Sequence, residues 1–239
     1  MKATNWEFQN RALIFGLVFA ISFPLYAFDP QNSTAVVGSW LGEKLRIEGD
    51  LVIRVLFALA AVVMIAAAFI RTWASAYLHA GVVYASEVKT AFLVADGPYR
   101  RVRNPLYFAN ILMAIAMGAM MSRSGFIVAV LVMTVFCCRL ILREEAELQA
   151  TQGERYQQYR ELVPRLWPSL RARVASSGAQ PRWKDGFMAE GWYWGFALSL
   201  VVFAITLKIK LFFWILGASV ALFWVSSIVL QKKSDSQEA

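Results

Sequence analysis

The chain has 239 residues, of which 59% are hydrophobic and only 17% are charged. Soluble domains usually carry about 45–50% apolar and about 25% charged residues, so this composition excludes an ordinary soluble globular protein. The formal net charge is +8. In so apolar a chain, basic residues are more typical of cytoplasmic loops than of a nucleic-acid-binding surface, and we expect no nucleic-acid partner.

The apolar residues form blocks long enough to cross a bilayer, whose core of about 30 Å takes about 20 helical residues. We identify six candidate spans, of which the third is short. They cover residues 11–28, 51–70, 106–121, 126–142, 191–207 and 211–230. The sequence therefore predicts an all-α fold, a polytopic transmembrane helical bundle of about six helices.

Lys and Arg residues are distributed unevenly among the segments that join these spans. If the N-terminus is cytoplasmic, most of the 24 Lys and Arg residues lie on the cytoplasmic side, as the positive-inside rule requires. We therefore expect an integral protein of the cytoplasmic (inner) membrane with both termini in the cytoplasm.

The chain divides into three predicted regions. Residues 1–92 hold the first two spans and an interfacial segment, residues 93–170 a helical hairpin with a polar tail, and residues 171–239 a connector and the last two spans. The segment 72–94 mixes aromatic with small and polar residues, which indicates an interfacial helix. Residues 171–181 are rich in Ser, Ala, Gly and Arg, which indicates a flexible connector.

Residue types that usually bind metals are scarce. His79 is the single histidine, and Cys137 and Cys138 are adjacent within an apolar run. This spacing fits neither a disulfide framework nor a metal site. We expect no metal site, an interfacial position for His79 and a packing role for the two cysteines.

The densest polar cluster, residues 96–107, stands immediately before the third span. Pro98 and Pro105 restrict its backbone, and Asn104 followed by Pro105 is typical of a helix start. The positive end of that helix would lie near Arg103, and such an end binds carboxylates or phosphates well. The arginines of this cluster are equally consistent with topology markers that contact lipid phosphates.

The third and fourth spans predict a hairpin that returns to the same membrane side. Each helix rises roughly 25 Å at 1.5 Å per residue, so Arg139, Glu144 and Glu145 should arrive beside Asn104 and Tyr107. Anion-binding groups and carboxylates would then face one another, which suits a zwitterionic ligand that bears hydroxyls. Two simpler interpretations stay open: the glutamates form a solvated helix end, and Arg139 snorkels to the interface.

These clusters also have the order and spacing of a known signature. Residues 97–107 read Gly-Pro-Tyr-Arg-Arg-Val-Arg-Asn-Pro-Leu-Tyr, and a hydrophobic hairpin follows. After the hairpin come Glu144-Glu145, Leu148, Gly153, Tyr156, Tyr159, Val163-Pro164-Arg165 and Pro168. Over about residues 93–168 the chain resembles the isoprenylcysteine carboxyl methyltransferase and phospholipid methyltransferase superfamily.

The resemblance implies an integral-membrane enzyme that uses S-adenosylmethionine without a Rossmann domain, with the cofactor at the cytoplasmic mouth of the hairpin. The implied cofactor-binding residues are Arg103, Asn104, Pro105, Tyr107, Glu144 and Glu145, with Tyr99 and Arg165 as weaker matches. As catalytic residues we predict Arg103, Tyr107 and Glu145. To these we add Arg139, because a charge within a membrane helix is costly and usually functional.

Two positions depart from the signature. Asn104 stands where relatives have histidine, and Ala109 stands where they have glycine. Asparagine can donate a hydrogen bond but cannot act as an acid or base near neutral pH. Methyl transfer from a sulfonium needs mainly an aligned acceptor and a suitable electrostatic environment. The departure therefore weakens the substrate analogy more than the reaction class.

We therefore expect an S-adenosylmethionine-dependent methyltransferase that acts on a lipidic or amphipathic acceptor reached from the bilayer. The acceptors that fit are a prenylcysteine carboxylate, a phospholipid amine, an isoprenoid or fatty carboxylate, and a small thiol. Two alternatives from other classes stay open. One is an NADPH-dependent membrane reductase on a related scaffold, and the other is a non-enzymatic scaffold or lipid-binding protein.

Overall fold

The computed structural model describes residues 1–78 and 94–238, and side chains are described up to residue 223. Within these ranges the secondary structure is helical, apart from one isolated bridge between Asn32 and Ser122. The α-helices are α1 (Asn5–Gln9), α2 (Arg11–Ser22), α3 (Ser33–Leu45), α4 (Gly49–Tyr77), α5 (Pro105–Gly118), α6 (Arg123–Leu162), α7 (Trp183–Thr206) and α8 (Ile209–Glu238). The all-α prediction is confirmed.

The predicted spans coincide with apolar helices. Among the described residues, α4, α6 and α7 are long and apolar enough to cross a membrane. The remaining predicted spans correspond to the shorter apolar segments Arg11–Ala27, Pro105–Gly118 and Ile209–Phe223. The polar half of α6 continues the fourth span as a helix, and Gly153 interrupts it with φ 52° and ψ −126°. Glycine suits this position because other residues rarely adopt a positive φ.

Helix α3 was not predicted from the sequence. Its glycines argue against a helix by propensity, but they let it pack closely on α4. A Cβ atom at Gly38 would lie 2.5 Å from Cγ1 of Ile53. Asn32 caps the helix by accepting from the Ala35 amide at 2.9 Å, and its own amide donates to the Met121 carbonyl at 3.1 Å. Tertiary contacts therefore stabilise α3.

Helix α5 lies between two apolar clusters. On one side Ile111 and Ala114 pack with residues of α2 and α6. On the other side Met113 and Met117 pack with residues of α4 and α7. Helices α4 and α7 approach closely at Gly186, where a Cβ atom would lie 2.5 Å from the Thr72 carbonyl oxygen. The predicted hairpin and the C-terminal helices are thus parts of one bundle.

The expected interfacial helix falls mostly outside the described residues. Residues 72–77 continue α4 to its end at Tyr77. Leu78 and Val94 are also described, but residues 79–93, which include His79, lie outside the described ranges.

Candidate active site

The motif segment before α5 is held in one conformation by local contacts. Gly97 has φ +59°, a conformation that favours glycine, and it lies against the Tyr77 ring. It begins a short 3-10 turn, Gly97–Arg100, in which Tyr99 is buried. Tyr159, from the far end of α6, donates to the Tyr99 carbonyl at 2.7 Å. Burial raises the pKa of the Tyr99 phenol, because the charged form would lose its hydration.

Helix α5 begins at Pro105, as predicted, but Asn104 does not cap it with its side chain. The Asn104 amide instead donates to Oε1 of Glu145 at 3.2 Å and to the Arg165 carbonyl at 3.0 Å. The first backbone N–H groups of α5 are therefore left without a side-chain cap. An uncapped helix start carries partial positive charge and can accept an anionic ligand.

Glu145 is the centre of a cluster of basic groups. Its Oε1 lies 3.4 Å from Nη2 of Arg103, and its Oε2 accepts from Nε of Arg165 at 3.0 Å. Both side chains of the Arg103–Glu145 pair are buried. The backbone strengthens this contact, since the Arg103 amide donates to the Pro164 carbonyl at 2.9 Å. The two halves of the signature therefore meet, as the hairpin predicted.

Glu144 lies one residue away from this cluster but has a different partner. Its Oε1 accepts from the Tyr107 hydroxyl at 2.5 Å. Glu144 lines a cavity, whereas Glu145 does not. The interpretation of these glutamates as a solvated helix end is wrong, because Glu145 is 6% exposed and both carboxylates contact the motif segment.

Several polar atoms at this mouth have no hydrogen-bond partner in the described part of the chain. They are Nε and Nη1 of Arg103 and the hydroxyl of Tyr156, all buried. Burying a polar group without a partner usually costs about 1–3 kcal/mol, so these atoms are candidate contacts for a ligand or water. Arg103 and Tyr156 both line the cavity.

The cavity has a volume of about 840 Å³ and runs from this mouth into the bundle. Polar groups line the mouth, and large apolar side chains line the rest. Of the predicted site residues, Tyr99, Arg103, Asn104, Pro105, Tyr107 and Glu144 line it. Glu145 and Arg165 stand behind them and contact Arg103 or Asn104.

Arg139 does not join the site that we predicted for it. Its Nη2 pairs with Glu7 of α1 at 2.7 Å, and its carbonyl accepts from the Ala3 amide at 3.1 Å. Both side chains of the pair are 24% exposed. Arg139 lies on a face of α6 that packs against the N-terminal segment, so its charge is compensated there and not at the cavity. The position of Arg139 in the sequence could not show whether its side chain lies on the face of α6 toward the cavity or on the face toward the N-terminal segment.

A second polar layer lies deeper in the bundle and consists of Arg71, Ser75, Asn110, Glu190 and Tyr193. It is about 9 Å further along α5 than the mouth, since Asn110 follows Asn104 by six residues. Nε of Arg71 pairs with Oε2 of Glu190 at 2.5 Å, and its Nη1 donates to Oδ1 of Asn110 at 2.7 Å. Tyr193 also donates to that oxygen at 2.7 Å, and the Arg71 guanidinium lies 4.3 Å from the Tyr193 ring centroid. Charged residues inside membrane bundles are usually functional.

The second polar layer was not predicted as a site from the sequence. Arg71 entered only the count of Lys and Arg residues, and Glu190 was not singled out. The signal was present, since Arg71 and Glu190 each border a predicted apolar span and Asn110 lies within one. Their pairing could not be inferred because Arg71 and Glu190 are far apart in sequence.

The connector is held against the mouth, in contrast to the flexible segment that we expected. Asp96 accepts hydrogen bonds from the Ser176 hydroxyl at 2.7 Å, from the Ser177 amide and hydroxyl, and from the Ala179 amide at 3.4 Å. Nε of Arg100 donates to the Val174 carbonyl at 2.9 Å. Burial opposes ionisation of Asp96, but the hydrogen bonds from Ser177 and Ser176 outweigh it and lower the pKa of this carboxyl.

The described residues contain no group of His, Cys, Asp and Glu side chains that could hold a metal ion. Cys137 is buried among α2, α5 and α6, which agrees with a packing role, whereas Cys138 is exposed. The packing role expected for Cys138 is therefore not tested by these contacts.

Comparison with models of known protein families supports the resemblance. Residues 54–155 match the family model described as phospholipid methyltransferase. The matched segment holds the motif, α5, Glu144 and Glu145, and it ends before Arg165 and the C-terminal helices. It confirms the resemblance that the signature indicated. Neither the curated proteins nor the solved structures gave a match.

Proposed function

We propose that this chain, which is similar to the phospholipid methyltransferase family over residues 54–155, takes a methyl group from S-adenosylmethionine and transfers it to a lipidic or amphipathic acceptor. The observation that carries the proposal is the cavity described above. It joins a mouth with unpartnered polar groups to an apolar interior, within a bundle whose long helices can span a membrane.

The cavity has the size and lining that two ligands of this kind need. Its volume of about 840 Å³ lies toward the upper end of the range of roughly 300–1,000 Å³ typical of small-molecule sites. Its apolar part is lined by Phe15, Phe19, Met113, Met117, Phe196 and Phe213. The polar mouth suits a water-soluble cofactor, and the apolar part suits the chain of an amphipath.

The mouth residues fit the functional groups of the cofactor. The cofactor carries a carboxylate, an amino group and two ribose hydroxyls. Nε and Nη1 of Arg103 are buried donors without a partner and would hold the carboxylate beside the uncapped start of α5. Glu144 accepts a hydrogen bond from Tyr107 at one oxygen, and its remaining capacity would serve the amino or hydroxyl groups.

Glu145 acts through other residues. It contacts Arg103, Asn104 and Arg165 and does not line the cavity. By fixing the Arg103 side chain it would orient the donors that face the ligand. We therefore propose that Glu145 and Arg165 are positioning residues, and that Arg103, Tyr107 and Glu144 contact the reactants.

When bound, the cofactor supplies a methyl group on a positively charged sulfonium, which an electron-rich acceptor can attack. The chain then has to align the acceptor and exclude water. Asn104 cannot take a proton, so an acceptor that carries a proton on the attacking atom would have to lose it to another group that lines the cavity, of which Glu144 is one. The aromatic and Met side chains of the cavity would exclude water and hold the acceptor chain.

The proposal is tested by methyl transfer with purified protein in lipid nanodiscs. The protein is incubated with S-adenosylmethionine that carries a tritiated methyl group and with one acceptor class at a time: a prenylcysteine, phosphatidylethanolamine, a fatty carboxylate or an alkyl thiol. We expect label in one acceptor class. Glu144→Gln should abolish it, and Glu154→Gln, which makes the same change on an exposed part of α6, should not.

The two alternative functions give other results in the same preparation. A reductase would oxidise NADPH in the presence of an unsaturated lipid and would transfer no label. A non-enzymatic lipid-binding protein would transfer no label and oxidise no NADPH, and in cells its function would survive Arg103→Ala and Glu144→Ala. Label transfer that is equal in wild type and Glu144→Gln would contradict the assigned site.

A further inference from the structure

The second polar layer turns a hydrogen-bond donor toward the cavity. Asn110 and Tyr193 line the cavity beside Arg71, so a bound molecule can reach them. The amide orientation of Asn110 is fixed by its partners. The Arg71 guanidinium can only donate, so the atom 2.7 Å from its Nη1 must be the amide oxygen of Asn110. The amide nitrogen therefore points elsewhere.

The amide nitrogen of Asn110 is a donor that the described residues do not use. Both hydrogen bonds of this side chain, from Arg71 and from Tyr193, end on its oxygen. Its nitrogen donates to no described residue, and it is not one of the atoms fully shielded from solvent without a partner. Since the residue lines the cavity, this donor faces the space where a ligand would lie.

The amide and carboxylate oxygens of the same layer are already occupied. The Asn110 oxygen has two lone pairs and accepts two hydrogen bonds. Oε1 of Glu190 accepts from Arg71 at 3.0 Å and from Ser75 at 2.7 Å, and its Oε2 accepts from Arg71. Glu190 is fully buried, so its charge is neutralised by Arg71 and does not face the cavity.

We infer that the second polar layer recognises the polar end of the acceptor and prefers an oxygen that accepts a hydrogen bond, a carboxylate or an ester carbonyl, over an ammonium group. The Asn110 amide is the specificity-determining donor. The inference rests on the proposed function, because it assigns the acceptor half of the same cavity. It also gives Glu190 and Tyr193, outside the family-matched segment, a role in substrate choice.

The apolar side chains beyond Asn110 place the acceptor chain. Met113 and Met117 follow on α5, roughly 5 Å and 10 Å further along the helix, and both line the cavity. Phe213 and Leu216 of α8 line the same part. An amphipath whose oxygen reaches Asn110 would therefore extend its chain between α5 and α8, away from the mouth.

The test is photocrosslinking in nanodiscs with three probes that share a 12-carbon chain and a diazirine, and that end in a carboxylate, a methyl ester or an ammonium. Labelled peptides of α5 and α8 are quantified by mass spectrometry. We expect wild-type protein to label about tenfold more with the carboxylate and the ester than with the ammonium. Equal labelling, or more labelling by the ammonium, would overturn the inference.

The decisive variant is Asn110→Asp, which keeps an oxygen for Arg71 and Tyr193 but replaces the free donor with an acceptor. Its labelling by the carboxylate and the ester should fall about tenfold, and labelling by the ammonium should rise. Asn5→Asp makes the same chemical change at an exposed position of α1 and should behave as wild type. An unchanged preference in Asn110→Asp would overturn the inference; if this variant does not fold, the wild-type preference decides.

S-adenosylhomocysteine binding, measured on the same samples, separates the two proposals. Asn110→Asp should keep this binding, because Asn110 lies deeper than the mouth. Binding of S-adenosylhomocysteine without any probe preference would overturn the acceptor inference alone. A probe preference without such binding would contradict the methyltransferase proposal and retain the second polar layer as a lipid-recognition site.

Discussion

The mouth and the second polar layer are both buried and polar, but they differ in how completely their groups are paired. In the second layer each oxygen of Glu190 has a partner, and Arg71 contacts Glu190, Asn110 and the Tyr193 ring. At the mouth, two nitrogens of Arg103 and the Tyr156 hydroxyl have no partner among the described residues.

This difference separates a supporting role from a binding role. A satisfied buried network stabilises one arrangement of helices, whereas an unsatisfied one keeps its binding capacity for a ligand. The second layer joins α4, α5 and α7 and turns one donor toward the cavity. The mouth has several polar atoms without a partner among the described residues. Substitutions should therefore reduce stability most in the second layer and reduce cofactor affinity most at the mouth.

The largest effect is expected from Arg71→Leu, which leaves Glu190 buried without a counter-charge. Breaking a buried ion pair on one side costs about 3–5 kcal/mol, and we expect a loss of that size in the free energy of unfolding. Denaturation in detergent by SDS titration measures it. The double variant Arg71→Leu with Glu190→Leu should recover most of the loss, and an equal loss in both would contradict the pairing.

The second expectation concerns affinity and not stability. Tyr107→Phe removes the donor to Glu144 and should weaken S-adenosylhomocysteine binding about tenfold, since a hydrogen bond to a charged group contributes roughly 1.5–3 kcal/mol. Tyr26→Phe also removes a hydroxyl, one that donates to the Met120 carbonyl, but far from the mouth. That control should keep its affinity, and a loss equal to that of Tyr107→Phe would refute the distinction.

A smaller effect is expected at Arg139. Its ion pair with Glu7 is partly exposed, and such pairs contribute about 0.2–1 kcal/mol. Arg139→Gln should lower stability by no more than that and should leave S-adenosylhomocysteine affinity unchanged. A tenfold loss of affinity at unchanged stability would return Arg139 to the site.

The smallest effect concerns the connector and pH. The pKa of Asp96 is lowered in the fold. The ionised Asp96 carboxylate therefore contributes fully to stability above its unfolded pKa of about 3.9, and this contribution is lost as pH falls through the lower pKa of the folded state. Hydrogen exchange of peptides from residues 171–181 should therefore stay slow from pH 7 to pH 5. Asp96→Asn should accelerate it at pH 7, and Asp50→Asn, an exposed control, should not.

The spans and the mouth could be predicted because their signals are local. Hydropathy located the apolar helices, and helix length alone brought Glu144 and Glu145 to Arg103 and Tyr107, as the contacts confirm. Pro105 marked the start of α5 correctly. The resemblance agreed with the family match over residues 54–155.

What the sequence did not reveal depends on contacts between distant segments. Arg71 pairs with Glu190 across 119 positions, and nothing in either local pattern identifies the other. Arg139 was assigned to the wrong face because hydropathy gives the depth of a residue but not its direction around the helix. The connector looked flexible by composition, but Asp96, far away in sequence, holds it in place.

The most direct test of the central claim is calorimetric titration of S-adenosylhomocysteine into the purified protein, its Arg103→Ala variant and the control Arg155→Ala. Arg155 is an exposed residue of α6. We predict micromolar binding in wild type and control, and a loss of about tenfold to a hundredfold in Arg103→Ala, as expected for a charge-assisted contact. No binding in folded wild-type protein, or equal binding in Arg103→Ala, would contradict the account.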